Sequence, residues 1–212
     1  MSISISRHRR LLAHLWDTSF RPASHLCLLQ TDDELTEFLL SNRLSVQDLW
    51  ALREAPLHQI GALRPRRLYC IIKDIFDPRP VDFARPLFSQ ITHLEIFDDP
   101  GHLSDGGWSS LALIPNLTHL AFNDNEFIPL LPKLLCACAS LRGLALVMPE
   151  EVPQPLHEEV SDQLARDTRF LWISNAEYIR DWHQGALTGE DYWSRAGQFI
   201  ERRKGNVTNL LD

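Results

Sequence analysis

The sequence predicts an α/β solenoid with parallel strands, and the prediction depends on a recurring frame of apolar residues. The frame is clearest from Leu117 to Asn125, which reads L-x-x-L-x-F-x-x-N. Leu120 and Phe122 lie two residues apart, so a strand would place both on one face. Weaker copies flank this stretch at steps of 26, 26 and 24 residues, a spacing typical of stacked repeats. Their second apolar positions are Leu68, Leu94, Leu120 and Leu144.

The first part of the chain, residues 1–64, is predicted to be mainly helical around one strand and to belong to the same domain as the repeats. An apolar stretch at residues 25–29 is typical of a short strand. Thr31 begins a capping box, and Ser45 is a second helix-start signal. We therefore expect a pair of helices across residues 31–54, which would occupy one long repeat unit.

Residues 65–175 are expected to form the solenoid itself, with about five or six strand–helix units in the whole chain. Pro80 or Val81 would begin one return helix and Pro132 another, because proline is tolerated in the first helical turn. The segment 98–107 carries acidic residues and glycines, so we expect a solvated turn there. The strands of this region are expected at 67–72, 91–97, 117–125, 143–147 and 169–173.

The last segment, residues 176–212, is predicted to be an aromatic-rich helical cap. The strand before it aligns with its neighbours through either Phe170 or Leu171. Thr188, followed three residues later by Asp191, begins a helix with apolar side chains at helical spacing. Because a stack of repeats leaves its end exposed, we expect this segment to cover the open end. An aromatic box for a ligand is the alternative. The aromatic residues of this segment include Tyr178, Trp182, Tyr192 and Trp193, and Trp172 lies in the strand before it.

Composition limits the class of protein. The chain has 212 residues, of which 44% are hydrophobic, and this suits one unit with a sizeable core. The formal net charge of −7 disfavours nucleic acid as a partner, because phosphate binding needs a basic surface. No apolar stretch reaches the ~20 residues of a membrane span, so we expect no membrane insertion.

The four cysteines show no spacing typical of a disulfide framework, which favours a reducing compartment, the cytoplasm or the nucleus. Cys136 and Cys138 are separated by a single residue. Paired cysteines in zinc sites are usually separated by about two to four residues, and two further ligands are needed. We interpret the pair as belonging to a return helix, with a cysteine acting as a small hydrophobic residue, and we predict no metal or other cofactor.

The segment from Cys138 to Leu144 reads C-x-x-L-x-x-L. With this motif and the longer frame around Leu120, the chain resembles the leucine-rich-repeat family in its cysteine-containing type. The region from Arg64 to Leu146, with the Asp-Trp and Glu-Asp-Tyr-Trp segments near the end, is similar to the repeat region of uncharacterised fungal F-box-like proteins. No F-box helical segment is recognisable at the start of the chain. The resemblance implies substrate recognition within an F-box-type protein.

Function is predicted on the strand positions that alternate with the buried leucines. With the strands in register, these positions form rows on a concave face. We predict that this face contacts a protein partner without catalysis, with Tyr69 and Phe97 as aromatic anchors. The expected contact residues are Arg67, Tyr69, His93, Glu95, Phe97, His119 and Asn123.

An enzyme or a metal-binding protein is the alternative class. Adjacent strands lie about 4.8 Å apart, so His93 and His119 become neighbours, with Glu95 close by. Two imidazoles beside a carboxylate are suited to a divalent metal or to acid–base chemistry. The sequence contains no phosphate-binding glycine loop, no G-x-S-x-G and no H-E-x-x-H motif, which favours binding over catalysis. The identity of the partner and the oligomeric state are not predicted.

Overall fold

The protein has an α/β fold built on one sheet, as the sequence predicts. The computed structural model describes residues 25–28, 46–51, 57–148, 164, 166–174 and 177–208. In these residues seven parallel strands lie side by side in chain order. The strands are β1 (His25–Leu28), β2 (Asp48–Ala51), β3 (Arg67–Cys70), β4 (His93–Ile96), β5 (His119–Phe122), β6 (Gly143–Met148) and β7 (Phe170–Ser174).

A row of apolar residues fixes the register of the sheet. The frame positions that the sequence aligns are paired from one strand to the next, so the predicted register is confirmed. Leu144 pairs with Phe170, which identifies Phe170, and not Leu171, as the register residue of β7. From β2 to β7 the row consists of Leu49, Leu68, Leu94, Leu120, Leu144 and Phe170.

Short helices return the chain from the end of one strand to the start of the next, and two longer helices follow the sheet. The short ones are α1 (Leu57–Ile60), α2 (Ile72–Phe76), α3 (Asp105–Ser109) and α4 (Leu131–Ala137), and the longer ones are α5 (Tyr178–Thr188) and α6 (Tyr192–Thr208). Single 3₁₀ turns complete the returns at Pro86–Phe88, Pro100–His102, Ser110–Leu113 and Asn125–Phe127.

The main core lies between one face of the sheet and the short return helices. Leu94, Leu120 and Leu144 have no exposed surface, and the return segments contribute large side chains such as Trp108 and Phe88. Burying a side chain of this size stabilises the fold by about 1.5–3 kcal/mol. Cys138 belongs to the same core, as its interpretation as a small hydrophobic residue requires, whereas Cys136 is exposed.

A second core covers the opposite face of the sheet, and this corrects the predicted position of the C-terminal segment. Helices α5 and α6 lie across that face rather than over an open end of the sheet. The physical reason is visible in β6, which is apolar on both faces and therefore needs cover on both. The buried residues of this second core are Trp50, Tyr69, Ala121, Ala145, Val147 and Leu171 from the sheet, and Trp182, Tyr192, Trp193, Ala196 and Ile200 from the helices.

The helix predicted after Ser45 is wrong where the structure describes it. Residues Asp48–Ala51 form β2, which pairs with both β1 and β3. Val46, Leu49 and Ala51 have the same spacing as the apolar residues of the other strands, with two residues and then one residue between them. The helix-start signal at Ser45 nevertheless favoured a helix. Burial on both sides of the sheet outweighs a weak local preference. The helices predicted before residue 46 lie outside the described residues.

The return between β3 and β4 also differs from its prediction. The helix of this return is α2, which begins at Ile72, whereas Pro80 lies in an irregular stretch. The carboxylate of Asp98 accepts hydrogen bonds from the backbone N–H groups of Ile72 and Lys73, at 2.5 and 2.9 Å. Asp98 is therefore buried instead of lying in a solvated turn. A cap supplied from 26 residues away leaves no local sequence signal.

The boundary between the last two helices lies at the position where the sequence predicts a helix start. Helix α5 ends at Thr188, and Gly189 adopts the left-handed conformation (φ 78°) that commonly terminates helices. Asp191, expected inside the helix, precedes α6 and accepts a hydrogen bond from the N–H of Ser194 at 2.9 Å. Asp191 therefore caps α6, whereas the hydroxyl of Thr188 accepts a hydrogen bond from the N–H of Glu190, at 3.1 Å, before that helix begins.

Candidate functional site

The residues predicted to contact a partner do share one face of the sheet. Arg67, His93 and His119 pair from strand to strand, and Tyr69 pairs with Glu95 in the next row. The face is not open, however, because α5 and α6 lie on it. Tyr69 is 2% exposed and Glu95 is 1% exposed. The predicted face is therefore covered at Tyr69 and Glu95, whereas its other predicted contact residues remain partly exposed. These are Arg67, His93, Phe97, His119 and Asn123.

His93 and His119 form a stacked pair beneath α6. Their ring centroids are 4.2 Å apart with an interplanar angle of 4°. Trp193 contacts both rings edge-on, at centroid distances of 5.2 and 5.6 Å. The hydroxyl groups of Thr92 and Thr118 each lie 2.9 Å from the Nδ1 atom of the following histidine. The repeated Thr-His-Leu triplet thus fixes both rings in the same orientation.

Burial keeps both imidazoles neutral. It lowers the pKa of His93 to about 2, with a further lowering by the neighbouring His119. Burial also lowers the pKa of His119 to about 4, assisted by the positive charges of Arg142, Arg67 and Lys204. Neutral, stacked rings under a tryptophan are suited to packing and poorly suited to proton transfer near neutral pH.

Glu95 does not join the two histidines in a metal site. Its carboxylate accepts hydrogen bonds from the hydroxyl of Tyr192 and from Nδ2 of Asn123, the latter at 3.0 Å. Among the described residues, no group of three or more His, Cys, Asp or Glu side chains could hold a metal ion. The three side chains therefore do not provide the ligand set that the sequence left open as an alternative.

Arg67 links the sheet to the start of α6. Its guanidinium lies 2.5 Å from the carboxylate of Asp191 and 3.6 Å from that of Asp48. Burial alone would lower the pKa of Arg67. The negative charges nearby, chiefly that of Asp191, have a larger opposite effect, so the pKa of Arg67 is raised. Since Asp191 also caps α6, this ion pair positions the helix over the sheet. We assign Arg67 a structural role.

An aromatic cluster anchors α5. The rings of Trp50 and Tyr69 stack at 5.4 Å with an interplanar angle of 12°. Trp182 meets both rings edge-on, at 5.2 and 6.1 Å. Phe97, predicted as an exposed anchor, lies 6.1 Å from Trp50 and is partly buried against the same cluster. The aromatic residues that the sequence assigned to binding therefore bind the protein's own helix.

The sheet face remains accessible at β7, where a groove of about 560 Å³ separates the strand from α6. Leu171, Ile173 and Ala196 contribute to its apolar lining. Phe199 projects from α6 into the same groove and is 51% exposed. Phe199 and Leu113 are the exposed large apolar side chains among the described residues, and of these two only Phe199 lines a groove.

Two arginines complete the groove. Arg195, Phe199 and Arg203 are spaced four residues apart, so they lie along one side of α6. The sequence did not predict this stripe, because the apolar residues of α6 were all assigned to one face. The relevant signal was Phe199, which stands next to the buried stripe of Trp193, Ala196 and Ile200 instead of within it.

Comparison with known proteins found no family model, no curated protein and no solved structure that matches this chain. The leucine-rich-repeat resemblance consequently stays a prediction from the sequence. None of the described helices is both long enough and apolar enough to cross a lipid bilayer.

Proposed function

We propose that the chain is a leucine-rich-repeat-like solenoid that acts as a non-enzymatic protein-interaction module, and that its partner binds the groove between β7 and α6. The in-register strands and the short returns between them support the solenoid. The half-exposed Phe199 in an apolar groove is the single observation on which the binding role depends. Free, buried Cys70 and Cys138 suit a reducing cytoplasm or nucleus.

The concave face is a poor candidate for the same role. A partner could reach the buried residues of this face, Tyr69 and Glu95, only by displacing α5 and α6. That would expose Trp50, Tyr69, Trp182 and Trp193. At about 1.5–3 kcal/mol for each buried aromatic side chain, the loss is on the order of 6–12 kcal/mol. That is comparable with the entire stability of a domain, about 5–15 kcal/mol. The covered face therefore serves folding, and binding is assigned to the groove.

The open shape of the groove favours a polypeptide over a small molecule. The groove is bordered by a strand on one side and a helix on the other, and its apolar lining runs along both. Enclosure of most of the ligand surface is typical of small-molecule sites. A chain segment that inserts one or two apolar side chains needs no such enclosure. In an F-box-type protein, as the sequence resemblance implies, the segment would belong to a substrate.

A peptide library displayed on phage and selected on the immobilised full-length chain tests the proposal. We expect the enriched peptides to bind the unmodified protein and to lose binding to a Phe199→Asp variant. Leu113→Asp is the matched control, because Leu113 is a large apolar residue that is 59% exposed away from the groove. Peptides that bind equally well to the Phe199→Asp variant would contradict the proposal.

A further inference from the structure

We propose that the groove between β7 and α6 recognises an acidic segment, in which a large apolar side chain lies between two carboxylates. This inference rests on the proposed function and specifies the chemistry of the partner. The charged side chains that line the groove are Arg195 and Arg203, and no carboxylate occurs among the ten lining residues that the structure gives. In a chain with a net charge of −7, such a site is a local exception.

The spacing of the arginines defines the ligand further. Arg203 follows Arg195 by eight positions, which corresponds to about 12 Å along a helix, and Phe199 lies midway between them. The guanidinium carbon of Arg203 lies 5.9 Å from the centroid of the Phe199 ring. One of its nitrogens donates a hydrogen bond to the backbone oxygen of Phe170 at 3.1 Å. The charge is thus held at the border of the apolar surface.

Arg195, the second positive charge at the groove, is held less firmly than Arg203. Arg195 lies 2.7 Å from the carboxylate of Asp181, but its own side chain is 58% exposed. The Asp181 side chain is only 13% exposed, so the pair is partly buried. The guanidinium of Arg195 has five N–H donors, however, and can bind Asp181 and an incoming carboxylate together. Arginine binds carboxylates with two parallel hydrogen bonds, which gives the recognition its geometry.

Charge also selects among the possible occupants. A second copy of this chain would carry the same net charge of −7, and repulsion between like charges disfavours that arrangement. A neutral apolar segment would fill the floor of the groove but leave both arginines without an added partner. In an acidic segment with one large apolar side chain, that side chain packs on the apolar floor of the groove and the two carboxylates bind Arg195 and Arg203.

Fluorescein-labelled synthetic peptides provide the test. Each has a central phenylalanine with a glutamate on either side, placed four residues away for a helical ligand or two residues away for an extended one. Matched peptides carry glutamine instead of glutamate. By fluorescence anisotropy we expect a glutamate peptide to bind at least about tenfold more tightly than its glutamine counterpart. Raising the salt concentration from about 0.05 M to about 0.5 M should remove most of this difference.

Substitutions in the groove separate charge from folding. Arg195→Gln and Arg203→Gln should each weaken binding of the glutamate peptide by roughly three- to tenfold. Arg195→Lys and Arg203→Lys keep the charge and should retain most of the preference for glutamate. Thermal unfolding of each variant shows whether the groove is intact, which matters for Arg203 because of its bond to Phe170.

The two proposals fail in different ways. If glutamine peptides bind as tightly as glutamate peptides while binding still depends on Phe199, the acidic ligand is excluded and the interaction groove stands. If displayed and synthetic peptides bind without dependence on Phe199, the groove itself is excluded. The acidic ligand is also overturned if the glutamine variants at Arg195 and Arg203 fold normally and keep the full affinity.

Discussion

The imidazole rings of His93 and His119 stack at 4.2 Å beneath Trp193, and each is followed by one of the leucines that fill the main core. A single strand register therefore determines both layers of the molecule. Leu94 and Leu120 face the return helices, and the two histidines face α6. Residues that the sequence suggested for metal binding instead contact Tyr192 and Trp193 and hold α6 against the sheet.

This arrangement predicts that acid destabilises the protein through its histidines. Burial lowers the pKa of His119 to about 4 and that of His93 to about 2, whereas an unfolded chain titrates near 6.5. Below pH 6.5 the unfolded chain binds protons that the folded chain excludes, so the free energy of unfolding decreases as the pH falls. The loss is up to about 1.4 kcal/mol for each histidine and each pH unit.

Urea unfolding between pH 7 and about pH 5 measures this dependence. A His119→Phe variant keeps an aromatic ring for stacking but cannot bind a proton, so its stability should fall less steeply over the same interval. His93→Phe should behave similarly. Equal slopes in the variants and the unmodified protein would show that the histidines are exposed to solvent.

Leu120→Ala should lower the free energy of unfolding by about 2–5 kcal/mol, because the side chain has no exposed surface and its removal leaves a cavity. Leu113→Ala is the matched control and should change stability by less than about 0.5 kcal/mol, since Leu113 is mostly exposed.

If the concave face were open, His119→Ala would leave the free energy of unfolding nearly unchanged. The stack with His93 and Trp193 predicts a loss of about 1–3 kcal/mol instead. Denaturant titration of all three variants checks these values.

The same substitution at two helical glycines should have opposite effects. In α5, a β-carbon at Gly185 would lie 2.4 Å from the β-carbon of Asp191, so Gly185→Ala should destabilise the protein by about 1–3 kcal/mol. In α6, a β-carbon at Gly197 meets no atom within 4 Å, and Gly197→Ala should stabilise it by about 0.5–1 kcal/mol. Thermal unfolding distinguishes the two. Stabilisation by both changes would mean that the turn between α5 and α6 is not closely packed.

The ion pair between Arg67 and Asp191 should be measurable by a double-mutant cycle. Asp191→Asn retains an acceptor for capping α6 but removes the negative charge, so it isolates the electrostatic contribution. We expect a loss of about 2–4 kcal/mol for this change, a similar loss for Arg67→Met, and a double variant that is much less destabilised than the sum. Strictly additive losses would indicate that the two side chains do not interact.

The recurrence of Leu94, Leu120 and Leu144 at nearly constant spacing was sufficient to predict the α/β class and the parallel strands. The register followed because side chains along a strand alternate between its two faces, so these leucines must share the buried face. The strand at Leu49 was not predicted, because Leu49 lies only 19 residues before Leu68, a shorter interval than the others, and a helix-start signal precedes the strand. The cover over the second face also escaped detection. Its signal was the presence of apolar residues at the outward positions Ala121, Ala145 and Val147, which a solvent-exposed face would not require.

The candidate site shows the same limit in another form. Tyr69 and Phe97 were correctly placed on one face, but no local pattern reveals that a helix about 100 residues later covers them. The groove forms where α6 and β7 separate, and their relative position is set by tertiary packing, which the sequence does not reveal. Only the spacing of Arg195, Phe199 and Arg203 was available from the sequence, and its meaning required the neighbouring strand.

The most direct test of the account is an NMR titration of the labelled full-length protein with a peptide selected on the groove. If the peptide binds the groove, signals from Phe199, Arg195 and Ile173 shift on binding. Signals from Tyr69, Glu95 and His119 stay in place, because α5 and α6 remain on the sheet. Shifts centred on Tyr69 and Glu95, accompanied by release of Trp182 and Trp193, would contradict it and return binding to the concave face.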